Sequence, residues 1–256
     1  MRRRIATSSL ATLAALLCAA GAAQAQINLT GLTPYTQDFD TFVGTLATVP
    51  TGWTTGGSAL FIGTLTSGSS AYNQNNGWYS LNDNGSTADR AIGGRVPAGS
   101  TFTLTAQFVN QTGQALSGFN LAYAVEQYTG SDPATTNTID LTWSTNGTTF
   151  VSTGLTGDLT TASTNGSPDT VFADPLVTAR VAALTGQTIA PGASFYVRYS
   201  FIPAGGGSRP IWGVDAFSLT PTAAAAAVPE ASPLGLMAFG SAGAALLGLT
   251  RRLRRR

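Results

Sequence analysis

Across residues 27 to 221 the apolar side chains recur at every second position in short runs, a period that admits strands and very little else. In Ser100 to Val109 (STFTLTAQFV), Phe102, Leu104, Ala106 and Phe108 alternate with polar neighbours. In Gly118 to Tyr128 (GFNLAYAVEQY), Phe119, Leu121, Tyr123 and Val125 do the same. Thr138 to Thr145, Ala193 to Phe201 and Gly213 to Thr220 are further runs rich in β-branched and aromatic residues. Gly, Asn and Pro punctuate these runs, and no window among them carries the period of an amphipathic helix. The pattern predicts an all-β domain: a single antiparallel β-sandwich of jelly-roll type, with a closed barrel as the alternative closure.

The sharpest local signal is Asn146-Gly147, set between TIDLTWST and TTFVST. That dipeptide tolerates positive φ at both centres of a type I′ turn, so a hairpin is expected here with Ile139, Leu141 and Trp143 on its inner face. Thr66 to Ala88 and Thr153 to Asp174 are loaded with Gly, Ser, Asn and Thr, and read as loops holding one short strand each. No internal repeat is present.

Composition removes whole classes of chemistry. The chain has no Lys and no His, and its single cysteine is Cys18. Serine triads, Cys-His nucleophiles, His-based zinc sites and Schiff-base lysines are excluded in their usual forms. Between residues 26 and 227 five arginines face eleven acids, a net charge of −6. Such a body has no electrostatic footprint for nucleic acid, and no nucleic-acid partner is expected.

The positive charge is gathered at the two ends. Arg2, Arg3 and Arg4 precede an Ala- and Leu-rich run, and Ala23-Gln24-Ala25 supplies the small residues that signal peptidase requires. Residues 1–25 are therefore read as a signal helix cut after Ala25. Leu17 precedes Cys18 where a lipobox needs Gly or Ala, so no lipid anchor is expected. The β domain is assigned to residues 26–221 and an Ala-rich linker to 222–227. From Ala231 to Thr250 there are twenty residues without a charge. As a helix that is about 30 Å, enough to cross a bilayer core. Arg251, Arg252, Arg254, Arg255 and Arg256 follow, a cluster that stays on the cytoplasmic side and stops transfer.

Val228-Pro229-Glu230, then the apolar span, then the arginine cluster resemble the PEP-CTERM sorting domain of Gram-negative bacteria over residues 228–256. Ala231 stands where the commonest form of the motif has a second Pro. The resemblance implies a protein carried across the inner membrane and sorted by an exosortase, a membrane-embedded cysteine transpeptidase acting near Val228, Pro229 and Glu230. It implies a place at the cell surface or in the extracellular matrix, in bacteria that make exopolysaccharide and grow as biofilms. The domain before it, through YTQDFDTF, VPTGW, STADRAIGG and WGVDAFSLT, resembles a β-sandwich recurring in bacterial surface proteins. That second likeness implies a fold and no activity. A non-enzymatic exported protein is the leading expectation, with a carbohydrate-binding module as the alternative and a carboxylate-dependent hydrolase as a third reading.

Three groups of residues are candidates for chemistry. Trp78 and Tyr79 follow the polar NQNNG and are read as an exposed pair on which a sugar ring could stack, against a core role. Asp38, Asp40 and Asp215 lie on the first and last strands, where they could meet and offer calcium the oxygen ligands it takes, against simple solvation. No other cofactor is expected. Glu126, the only Glu of the β domain, is read chiefly as the buried partner of an arginine such as Arg90 or Arg198, and otherwise as an acid/base or ligand group.

Overall fold

The computed structural model describes residues 25–58, 60–68, 75–83, 86, 88–130, 137–163, 170–203 and 209–225. In chain order the strands are β1 (Ile27–Leu29), β2 (Tyr35–Gln37), β3 (Trp53–Gly56), β4 (Phe61–Thr66), β5 (Gly77–Asn82), β6 (Arg90–Arg95) and β7 (Phe102–Asn110). They continue as β8 (Leu116–Thr129), β9 (Asn137–Ser144), β10 (Leu155–Gly157), β11 (Thr160–Ser163), β12 (Val171–Leu184), β13 (Ser194–Ile202) and β14 (Trp212–Ala223). A 3₁₀ turn at Leu46–Thr48 is the only helical element among the described residues.

The strands form two sheets, as expected of a sandwich. The smaller runs β1-β7-β13-β9-β11 with β3 also on β7, and the larger runs β10-β12-β8-β14-β6-β5-β4 with β2 also on β14. Period-2 alternation fills the space between them. From the smaller sheet come Phe102, Leu104, Ala106 and Phe108 of β7, Ile139, Leu141 and Trp143 of β9, and Phe195, Val197, Tyr199 and Phe201 of β13. The larger sheet answers with Phe119, Leu121, Tyr123 and Val125 of β8 and Trp212, Val214, Phe217 and Leu219 of β14.

The expectation of a wholly antiparallel sandwich needs correction at two pairs. β1 lies parallel to β7, with Ile27 opposite Phe108, and β4 lies parallel to β5, with Thr64 opposite Ser80. In both cases a long connection rather than a tight turn separates the partners, so nothing in the linkage forces the antiparallel sense.

Asn146-Gly147 does reverse the chain, but not as a two-residue hairpin. Only Gly147 has positive φ, at 72°, and pairing resumes at Val151, which exchanges backbone hydrogen bonds with Trp143 at 3.0 and 2.9 Å. The Asn146 side chain explains the wider loop. Its Oδ1 accepts from Thr148 N and Thr149 N, both at 2.9 Å, while Ser144 Oγ accepts from the Asn146 and Gly147 N–H groups. Local side-chain bonds of this kind compete with the strand ladder and win here.

Of the two polar stretches, Thr66 to Ala88 holds one strand, β5, as expected. Thr153 to Asp174 holds β10, β11 and the start of β12. β12 escapes a reading by alternation because its register against β8 jumps between Val171 and Leu176. Pro175, which has no N–H to give, sits in that irregularity, where no ladder bond is required of it. At the other end β14 runs beyond residue 221: Thr222 pairs with Gly118 and Ala223 with Leu116, so two residues assigned to the linker belong to the sheet. The compact unit that contains the sandwich ends at Ala224.

β14 also carries the bulge that makes its sequence work. Ala124 and Ala122 of β8 pair with Asp215 and Ser218, so β14 has one residue more than its partner, with Ala216 at φ 48°. Without that extra residue Trp212 and Val214 would be in phase with Ser218 rather than with Phe217 and Leu219. The left-handed backbone costs a non-glycine residue about 1–2 kcal/mol, which the burial of Phe217 and Leu219 offsets. A β-branched side chain should strain this turn further. Ala216→Val is expected to melt about 5 °C or more below the parent, and Ala216→Gly at or above it, by thermal unfolding; equal melting of all three would count against a strained bulge.

Candidate functional site

Trp78 and Tyr79 are not an exposed pair. Trp78 is 0 % and Tyr79 2 % exposed. Trp78 points inward from β5, stacked on Phe102 at 5.3 Å and edge-on to Phe201 at 5.6 Å. Tyr79 points to the other side of the same strand, where its hydroxyl donates to the Asn75 carbonyl at 2.7 Å. The polar run before them is no guide, because Phe102 of β7 and Phe201 of β13, remote in sequence, cover the inner side of β5. Trp78→Ala would open a cavity in the core and report on folding rather than on a sugar contact. Trp53, Trp143 and Trp212 are buried as well.

Tyr79 belongs to a second apolar cluster on the outer side of the larger sheet, with Leu65, Leu81, Ala91, Tyr128 and Ile211. Glu126 stands beside it. The arginine partner expected for Glu126 is not Arg90 or Arg198, and strand alternation is the reason. Arg90 shares the inward side of β6 with Ile92 and donates to Ser80 Oγ and Asn82 Oδ1, both at 2.8 Å. Arg198 is on the other sheet. Glu126 instead accepts from the Tyr128 hydroxyl at 2.7 Å, and burial raises its pKa against the lowering effect of that bond.

The first strand does not reach the last: β1 pairs with β7 in the smaller sheet, while the second strand, β2, pairs with β14, Gln37 opposite Phe217, and Asp38 shares a shallow pocket with Ala216. Asp38 Oδ1 accepts from Asp40 N at 3.3 Å, and Asp40 Oδ1 from Arg90 N at 2.9 Å. Asp215 is different. It is 8 % exposed, and its Oδ1 is buried without a hydrogen-bond partner. Burial pushes its pKa up to about 7; the Ala216 N–H opposes this, while Glu126, Asp89 and Asp40 add to it. An orphaned carboxylate oxygen among further acids is the kind of donor a hard cation takes. Among the described residues no three of these carboxylates converge closely enough to hold one ion.

The outer face of the smaller sheet is a different surface, and the sequence points to it only through Arg198, read there as a partner for Glu126. The off-phase residues of β13 are Tyr196, Arg198 and Ser200. In register with them are Gln107, Thr105 and Thr103 of β7 on one side and Ser144, Thr142 and Asp140 of β9 on the other. Phe150 reaches this face from the Asn146 loop. Its ring lies 3.4 Å from Arg198 Cζ and 6.5 Å from the Tyr196 ring, at 71° to it. Arg198 Nε donates to Thr105 Oγ1 at 3.0 Å. Gly147 has to be glycine here, since a Cβ would come within 2.9 Å of the Tyr196 ring as well as meeting positive φ. Two half-buried rings are thus held in place on a sheet face made of hydroxyls and amides. The signal was present in the alternation of SFYVRYSF, where the residues left over from the core phase include a Tyr and an Arg.

One further concavity lies on the outer side of the larger sheet, a groove of about 390 Å³. Asn120, Ala122, Thr156, Val181, Ala183 and Ser218 are among its lining, which includes neither a ring nor a charge.

Ala23, Val228, Pro229, Glu230, Arg251, Arg252, Arg254, Arg255 and Arg256 lie outside the described residues, as do the segments expected to form the signal and transmembrane helices. Ala25 is exposed, two residues before β1. Among the described residues no helix is long and apolar enough to cross a membrane.

No protein-family model and no curated protein matches the chain. Solved structures that resemble it include the K3 adhesin domain of Lys-gingipain from Porphyromonas gingivalis w83, with TM-score 0.45 and 13% identity over 73% of this chain and 98% of that one. A carbohydrate-binding module that recognises mannan gives TM-score 0.38 and 12% identity over 73% and 95%. The N-terminal cellulose-binding domain of a β-1,4-glucanase from Cellulomonas fimi gives 0.34 and 15% over 77% and 99%. At these similarities the likeness does not extend to a ligand.

The raised pKa of Asp215 has a signed consequence. The folded protein holds this proton more tightly than the unfolded chain does, so the associated stability is complete below the unfolded pKa and is lost as pH rises through about 7. Glu126 acts in the same direction. Thermal unfolding in EDTA is expected to show a melting temperature that falls between about pH 5 and about pH 8, and falls less in Asp215→Asn. Parallel profiles for the two proteins would refute a buried, protonated Asp215.

Proposed function

We propose that this chain is an exported, non-catalytic module that binds polysaccharide through the outer face of its smaller sheet. The observation that carries the reading is the pair of half-buried rings, Phe150 and Tyr196, fixed by Arg198 and Gly147 on a face of Thr, Ser, Gln and Asp side chains. Sugar rings offer flat C–H faces and a rim of hydroxyls. A binding surface for them needs rings to lie against and short polar groups to exchange hydrogen bonds with, arranged before the ligand arrives so that little ordering entropy is lost. The groove on the larger sheet supplies small apolar side chains without a ring, and Trp78 and Tyr79 are buried.

Delivery belongs to the same proposal. Signal peptidase would remove residues 1–25, and an exosortase would act at Val228-Pro229-Glu230 while the span 231–250 and the arginine cluster hold the chain in the membrane. The product would be a cell-surface or matrix protein of a Gram-negative bacterium, associated with exopolysaccharide. The orphaned Oδ1 of Asp215 is the donor a structural calcium would take, with main-chain carbonyls and water rather than Asp38 and Asp40 together completing its shell.

Two measurements test the reading. In affinity gels cast with a panel of polysaccharides, the protein is expected to be retarded, and Phe150→Ala and Tyr196→Ala to weaken retention by about ten-fold or more while melting close to the parent. Absence of retardation on every polymer, the host's own included, refutes it. Intact-mass analysis of protein from native cells, with and without the exosortase, is expected to show a C-terminus shortened in the first case only. A chain ending at Arg256 in both rules out sorting.

A further inference from the structure

The outer face of the smaller sheet carries more than a neutral sugar would need. Positive charge is scarce on this body, with five arginines between residues 26 and 227. Arg90 and Arg95 are buried in β6, Arg180 is paired with Asp158 at 3.3 Å, and Arg209 is engaged as well. Arg198 stands in the middle of the open face, half-buried, and among the described residues it makes no ion pair.

Its setting is built in advance. Nε is committed to Thr105 Oγ1 at 3.0 Å, and the guanidinium carbon sits 3.4 Å from the centre of the Phe150 ring. The two terminal nitrogens donate to no described residue. A guanidinium that spends one face on a ring keeps its edge for two parallel N–H bonds, the geometry that a carboxylate accepts. Asp140 is the acid nearest in register, opposite Ser200 on β9, and it accepts from Thr160 Oγ1 at 2.9 Å instead. The lone pairs of Thr105 and Thr142 face the same spot only as neutral acceptors and cannot balance the charge.

Resting on the sugar-binding reading of this face, we infer that the ligand is an acidic polysaccharide, and that Arg198 recognises a carboxylate carried on its sugar rings. Phe150 then has two tasks: it lies against the ligand and it lowers the water contact of the guanidinium, which strengthens a charged hydrogen bond. The surplus of acids elsewhere on the body repels the same polymer, so binding is confined to Arg198, which makes no ion pair among the described residues.

The test compares polygalacturonate with its methyl ester, the same backbone with its charge removed. The exported protein is expected to be retained about ten-fold more strongly by the acid than by the ester. That ratio is expected to fall to about one in Arg198→Gln, and to fall steeply in the parent between about 50 and about 300 mM NaCl. The salt series needs no variant, so a failure of Arg198→Gln to fold leaves the question answerable. Equal retention by acid and ester overturns the inference and leaves the sugar-binding face standing. Dextran sulfate and polyacrylate separate the sources of negative charge: retention by polyacrylate or DNA as strong as by polygalacturonate overturns it in favour of unspecific anion binding. No retention by any sugar polymer, charged or neutral, overturns both readings.

Discussion

With Cys18 the only cysteine in the chain, nothing covalent joins the two sheets, and the sandwich depends on what its inner faces bury against each other. At the centre is a run of phenylalanine rings taken from both. Phe119 of β8 meets Phe195 of β13 at 5.3 Å, Phe195 meets Phe108 of β7 at 5.2 Å, and Phe108 meets Phe217 of β14 at 6.2 Å, all within 21° of parallel. Trp53 and Tyr199 close on Phe217 edge-on, at 5.0 and 6.4 Å. Because the run starts on the larger sheet, crosses to the smaller and returns, it acts as the cross-link that disulfides supply elsewhere. It also fixes register, since a slip of one residue in β7, β8 or β13 would turn a ring of this run to solvent.

The same alternation decides where function can reside. Whatever is in phase with the phenylalanines is core, and only the opposite phase reaches solvent. On the larger sheet part of that phase is spent on a second apolar cluster around Tyr79, Leu81 and Tyr128. On the smaller sheet Thr103, Gln107, Thr142, Tyr196 and Arg198 stay partly exposed, with Thr105 and Ser144 covered among them. The two outer faces therefore differ in kind. One carries that apolar cluster beside an open groove without rings, and the other is a polar plane onto which a loop lays a single ring.

How much of this was legible follows from which residues act locally. The inward sides of β7, β8, β9 and β13 could be read from the chain because alternation is a property of neighbours, and Ile139, Leu141 and Trp143 are buried as that reading required. The first strand is expected beside the last, but β1 lies on β7 in the smaller sheet and it is β2 that reaches β14. Trp78 and Tyr79 could not be placed from the chain, since their surroundings come from Phe102, Phe201 and Ile211, residues remote in sequence. Phe150 was hidden for a subtler reason. A two-residue turn at Asn146-Gly147 would have placed it within a strand; the side-chain bonds of Ser144 and Asn146 widen the loop and bring the ring over Arg198 instead. Glu126 and Arg90 stand on opposite faces of one sheet and Arg198 belongs to the other sheet, matters of phase and topology that a charge count does not contain.

The extension of β14 to Ala223 has a mechanical meaning. β14 is an inner strand of the larger sheet, zipped to β8 from Trp212 to Ala223 and flanked on its other side by β6 and β2. The Ala224 N–H still bonds to the Ala115 carbonyl at 2.9 Å. A pull on the chain beyond this point meets no slack. It loads the ladder between β14 and β8 along the strand axis, so that many hydrogen bonds share the force instead of parting one at a time. A domain pulled at this end would carry tension through that ladder.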